Sequence, residues 1–177
     1  MSPFEVLGFS KSFNLDLDEI EKRYYELSRQ LHPDHILVTD PKIKLEALEK
    51  SALLNQAYLK LKNPEKRLEA LLELVGVPEQ FKSERLQDSK NIPHELAEKF
   101  FELQENGLNS PEATSFKAAL KVEKEAVFTE IFSLAVKINW DTPAVEFVQK
   151  ILNLKQKLSY IRSLVQNLER HQNVSEL

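Results

Sequence analysis

Residues 16–34 read DLDEIEKRYYELSRQLHPD, and the reading of this stretch decides the fold. Ile20, Tyr24, Leu27 and Leu31 recur at four- and three-residue spacing, the period of one buried helix face. That spacing predicts a helix over 16–31. Asp16 precedes Glu19 by three residues, the spacing of a capping box at a helix start. At the other end stands His32-Pro33-Asp34. Proline has no N–H to donate and pushes its predecessor out of the α region, so the helix exits at His32 and the chain turns. Lys22 and Arg29 point away from the apolar row, with Arg23 to one side. Glu19–Arg23 and Lys22–Glu26 have the i,i+4 spacing of helix-surface ion pairs.

The pattern continues outward on both sides. Ala47, Ser51, Leu54, Tyr58 and Leu61 make one face of a helix over 41–62, and Asn63-Pro64 opens a shorter one running to about Val75. Residues 76–92 are mixed and charged and read as a linker. Beyond them Leu96, Phe100 and Leu103 mark a helix over 93–106. Phe116, Leu120, Val127, Ile131, Leu134 and Ile138 mark a long one over 111–138. Phe147, Ile151, Leu154, Leu158, Ile161, Val165 and Leu168 mark a last helix of about thirty residues. Pro3, Pro41, Pro64, Pro111 and Pro143 each follow a polar residue suited to an N-cap (Ser2, Asp40, Asn63, Ser110, Thr142). Gly8, Gly76 and Gly107 each follow an amphipathic stretch, where a left-handed cap residue ends a helix. Nothing reads as a strand. The expectation is an all-α chain with a helical hairpin and flanking short helices in residues 1–75. A linker over 76–92 and an antiparallel three-helix bundle over 93–172 complete it.

Composition narrows the function. The 177 residues carry 24 Lys+Arg against 28 Asp+Glu, and residues 1–75 and 76–177 are each acidic by two charges. No basic half exists to track a phosphate backbone, so nucleic acid is not an expected partner. With no cysteine there are no disulfides, thiolate zinc sites, thiolate-held iron–sulfur clusters or cysteine nucleophiles. No apolar run is long enough to span a bilayer, and Met1-Ser2-Pro3-Phe4-Glu5 does not read as a signal peptide, so the expectation is a cytoplasmic protein with no membrane partner. His32, Asp34 and His35 could offer metal ligands, but three groups on one loop without a second shell argue against a metal site. No cofactor and no catalytic residue is expected. A hydrolase using His32 and Asp34 would lack a nucleophile and a phosphate loop.

Two further features carry interaction chemistry. Glu95, Glu98, Glu102 and Glu105 fall on one face of the 93–106 helix, opposite Leu96, Phe100 and Leu103, with Phe101 at the edge of the acidic row. One aromatic beside carboxylates suits an interface anchor with a charged rim, and equally a solvated face next to a boundary core residue. The second feature is a resemblance. Tyr24–Asp34, YYELSRQLHPD, followed by SALLNQAYLKLKNPEKRLEALLEL over Ser51–Leu74, resembles a J-domain, and Phe4-Glu5-Val6-Leu7-Gly8 matches its first helix. Leu96–Glu105, LAEKFFELQE, resembles the C-terminal domain of the HscB family of co-chaperones, so the similarity covers nearly the whole chain.

The resemblance implies two partners. A DnaK/HscA-type ATPase chaperone would dock on Lys22, Arg23 and Arg29 and on the loop His32, Pro33 and Asp34, with Asp34 accepting from a chaperone arginine. An IscU-like iron–sulfur scaffold protein would bind Phe101, Glu102 and Glu105 most clearly, with Ala97, Glu98 and Asn153 as further positions. The family carries larger apolar residues where Ala97 and Glu98 stand and an aromatic where Asn153 stands. A J-domain co-chaperone serving a different client is therefore the alternative, with Val148 and Leu152 either compensating or packing in the bundle. Some family members carry an N-terminal Cys-rich zinc module; its lack here points to a bacterial-type protein.

Overall fold

The computed structural model describes residues 1–31, 41–76 and 93–174, with side chains at 41 and 172–174 left aside. Seven helices occupy them and no strand occurs among the described residues. They are α1 (Pro3–Leu7), α2 (Leu17–Leu31), α3 (Pro41–Lys62), α4 (Pro64–Val75), α5 (His94–Asn106), α6 (Pro111–Lys137) and α7 (Val145–Val174). Helices α1–α4, with residues 138–143, form one compact unit, and α5–α7 form another.

The helix starts follow the sequence signals. Ser2 caps α1 in a reciprocal box: its Oγ accepts from the Glu5 N–H at 3.3 Å, and its own N–H donates to Glu5 Oε2 at 2.8 Å. That second bond holds the Glu5 carboxyl below its usual range. Asp16 Oδ1 accepts from the N–H groups of Asp18 and Glu19 at 2.8 and 3.1 Å. Asn63 and Ser110 accept from the N–H groups of Lys66 and Ala113, each at 3.1 Å. Thr142-Pro143 departs from the pattern. Helix α7 begins two residues later, where the Ala144 carbonyl accepts from Phe147 and Val148, so Pro143 sits in the preceding turn.

In the first unit α2 and α3 run antiparallel, and α1 and α4 pack on α3. Ile20, Leu54, Leu61 and Leu71 are fully enclosed there with Phe4 and Leu7. Gly8 ends α1 at φ +74°, and a Cβ there would stand 3.2 Å from Arg23 Nη2. An L-residue in that left-handed region costs about 1–2 kcal/mol. Gly8→Ala is therefore expected to lower the urea-unfolding free energy by about that amount. A loss no larger than that of Lys66→Ala on the exposed side of α4 would contradict the strain.

In the second unit α6 and α7 pack lengthwise and antiparallel. Glu130 pairs with Lys150, Glu123 with Lys157, and Lys121 with Glu169, so one number rises as the other falls. The buried row of α7 is Val148, Ile151, Leu158, Ile161, Leu164 and Leu168. It is turned by one residue at two places from the row expected from spacing. Phe147 is 47% exposed while Val148 is enclosed, and Leu164 replaces Val165. Both are adjacent apolar pairs, where periodicity cannot choose the inward member; packing against α6 does. Likewise α6 buries Ala135, with Leu134 only half-buried and Ile138 just beyond the helix end.

Candidate interaction sites on two helical units

The basic face of α2 is built by its clasp to α3. The rings of Tyr24 and Tyr58 stack with centroids 4.3 Å apart, and Tyr24 Oη donates to Asn55 Oδ1 at 2.7 Å. Tyr58 Oη donates to Glu21 Oε1 at 3.2 Å, and Lys62 Nζ donates both to Tyr58 Oη at 2.9 Å and to Glu21 Oε1 at 3.2 Å. The bonds to Tyr58 and Glu21 raise the Lys62 pKa above its ordinary value. Stacking with directional hydrogen bonds sets the rotation of α2 more firmly than apolar contact alone. This explains the Asn55-Gln56-Ala57-Tyr58 string of α3: Asn55 and Tyr58 grip α2, while Ala57 is buried.

With α2 held this way, Lys22 and Arg29 are exposed and have no ion-pair partner among the described residues. Arg23 differs. Its Nε donates to the Leu7 carbonyl at 3.3 Å and its Nη1 to Glu26 Oε2 at 3.4 Å, so it ties α2 to the end of α1. The pair formed is Arg23–Glu26, in place of the Glu19–Arg23 and Lys22–Glu26 pairs read from spacing. His32, Pro33, Asp34 and His35 lie outside the described residues, as does most of the linker assigned to 76–92.

Sequence reasoning missed Arg67. Its side chain is only 6% exposed, on the apolar side of α4 between Ala70 and Leu71. Arg67 Nε donates to the Leu61 carbonyl at 2.7 Å, and Nη1 donates to the carbonyls of Phe13 and Leu15 at 2.7 and 3.2 Å. The guanidinium also lies over the Phe13 ring, 6.0 Å from its centroid. Burial lowers its pKa, yet an arginine remains a cation at neutral pH. One side chain thus joins the end of α3, the start of α4 and the α1–α2 loop. The available signal was a lone cation within the apolar row of a helical wheel.

The second site lies on α5. Phe100 and Leu103 are buried, whereas Phe101 is 67% exposed and is therefore not a boundary core residue. Glu95, Glu98, Glu102 and Glu105 are all exposed beside it. Glu98 Oε1 is 3.0 Å from His94 Nδ1 and Glu102 Oε2 is 3.0 Å from Lys99 Nζ, both across exposed surface. Ala97 is half-buried on the same helix. Asn153 stands on α7, half-buried, while Val148 packs in the core and Leu152 is half-buried. No group of three or more potential metal ligands occurs among the described residues. Nor is any described helix long and apolar enough to cross a membrane.

A DnaJ domain model matches residues 2–69. The co-chaperone protein HscB of Proteus mirabilis is 27% identical over 169 residues, covering 91% of this chain and 95% of its own. The HscB homolog of Vibrio atlanticus is 32% identical over 126 residues, covering 70% of this chain and 72% of its own. The chain belongs to the HscB family of J-domain co-chaperones. Two solved HscB structures share the fold. Human HscB superposes with a TM-score of 0.66 at 18% identity, covering 97% of this chain and 82% of its own. The Vibrio cholerae protein gives 0.58 at 22%, covering 98% of both. As an HscB-type J-domain protein it is a co-chaperone of an Hsp70-type chaperone in iron–sulfur cluster assembly.

Proposed function

We propose that this protein stimulates ATP hydrolysis by a DnaK/HscA-type chaperone and delivers an IscU-like scaffold protein to it. Residues 1–75 act as the J-domain, 76–92 as the linker and 93–172 as the client-binding domain. Lys22 and Arg29 attract an acidic chaperone surface, Arg23 contributes through its hold on α1, and His32, Pro33 and Asp34 make the close contact. Such a contact favours the hydrolysis-competent state of the partner, and all the chemistry takes place on that partner in the cytoplasm. Ala97, Glu98, Phe101, Glu102, Glu105 and Asn153 form the client surface.

The observation that carries the reading is Phe101, a largely exposed phenylalanine at the edge of an exposed carboxylate row while its neighbours Phe100 and Leu103 fill the core. An exposed aromatic anchor with a charged rim is the composition of an interface hot spot. In a pull-down with the full chain as bait, Phe101→Ala with Glu105→Ala is expected to weaken scaffold capture by about tenfold or more while retaining the ATPase. Equal scaffold capture by both baits would refute the assignment. A different client is the second reading, favoured by Asn153, half-buried on α7 where the resemblance expects an aromatic. Retained ATPase with no scaffold on the wild-type bait would select it.

A further inference from the structure

Helix α3 has a second apolar face. Its inward side is Ala47, Leu54, Ala57 and Leu61, and Asn55 and Tyr58 engage α2. On the outward side Leu45, Leu48 and Leu59 are 57%, 65% and 58% exposed, and Ala52 between them is exposed too. Leu45, Leu48 and Ala52 are spaced three and four residues apart and line one side on successive turns, and Leu59 continues that side two turns further on, past the polar Gln56. At 1.5 Å per residue the row is about 21 Å long. Single exposed leucines are ordinary, whereas an aligned row marks an interaction surface. We propose that this outer face of α3 docks an amphipathic helix of a partner protein whose leucine-type row is flanked by carboxylates.

The charges beside the row select that occupant. Lys44 stands near one end, and Lys60 and Lys62 near the other. Lys60 meets Glu73 at 3.7 Å across exposed surface, where such pairs are weak and exchange readily, whereas Lys62 is held in the clasp to Glu21 and Tyr58. A second copy of the chain does not fit. Antiparallel self-pairing centred on Ala52 sets Leu45 against Leu59 but also Lys44 against Lys60, and parallel self-pairing sets each lysine against itself. Like charges so placed oppose association. A membrane surface is the poorer match, because the row is narrow and holds no Trp or Phe.

The inference stands apart from the ATPase and scaffold assignments. Its test uses the full chain and a fluorescein-labelled 18-residue helical peptide with a leucine row flanked by glutamates, beside a lysine-flanked version. By anisotropy the glutamate peptide is expected to bind about tenfold or more tightly than the lysine peptide. Leu48→Gln with Leu59→Gln should abolish the difference with unchanged helical circular dichroism, and Lys44→Glu with Lys60→Glu should reverse the preference. Equal affinity for both peptides, or indifference to the leucine substitutions, overturns the proposal. So does co-sedimentation with anionic phosphatidylserine vesicles, or a concentration-dependent dimer, that the leucine substitutions remove.

Discussion

Arg67→Met is expected to lower the stability of the α1–α4 unit by about 1–3 kcal/mol, the usual loss when buried carbonyls are left without their donor. Methionine fills much of the same space but donates nothing. The carbonyls of Leu61 and Phe13 would each lose a charged donor at 2.7 Å in a buried site, and that of Leu15 one at 3.2 Å at its half-buried edge. Domains are stable by only about 5–15 kcal/mol, so the loss is a large share of the total. Arg67→Lys should recover only part of it, because one ammonium does not reproduce the planar fork that reaches separate carbonyls. Urea unfolding followed by circular dichroism reads the change, with exposed Lys66→Met as the control. A cost below about 1 kcal/mol would mean that the three carbonyls find other donors.

His32→Gln is expected to abolish stimulation of the partner ATPase while leaving helical content unchanged, because Pro33 still ends the preceding helix. Glutamine is polar and of similar length but presents neither the ring nor its two nitrogens, and a contact that favours one state of a partner depends on fit at that point. The α2 cations should behave differently. Lys22→Ala and Arg29→Ala are expected to weaken association mainly at low ionic strength, as exposed steering charges do. Arg23→Ala should lose stability as well, since its side chain holds the Leu7 carbonyl. Measurements of ATP turnover against co-chaperone concentration, at two salt concentrations, separate these roles. Full stimulation by His32→Gln would remove the basis for the chaperone contact.

The legible parts of this protein are those governed by neighbours in the chain. Ser2, Asp16, Asn63 and Ser110 cap helices because an oxygen two or three residues from a free N–H finds it whatever lies beyond. Thr142-Pro143 offered the same signal and the helix started later, at Val145. Phe101 was readable as a candidate anchor from its place at the edge of a carboxylate row, but its exposure was not. Adjacent apolar residues such as Phe147 and Val148 differ by one step around a helix, and only the neighbouring helices choose which turns inward.

The chain order alone therefore determined the all-helical class, the helix limits to within a residue or two, and the basic and acidic faces, because each depends on local spacing. Tertiary structure alone decided that Arg67 is an internal cross-brace, that Arg23 is tied to α1 while Lys22 and Arg29 stand exposed, and that α3 keeps a leucine row outside. Those outcomes depend on groups distant in sequence: Arg67 meets Phe13, and Arg23 meets Leu7. Burial and hydrogen bonding are properties of the assembled neighbourhood, and no local pattern encodes which distant carbonyl a guanidinium will reach.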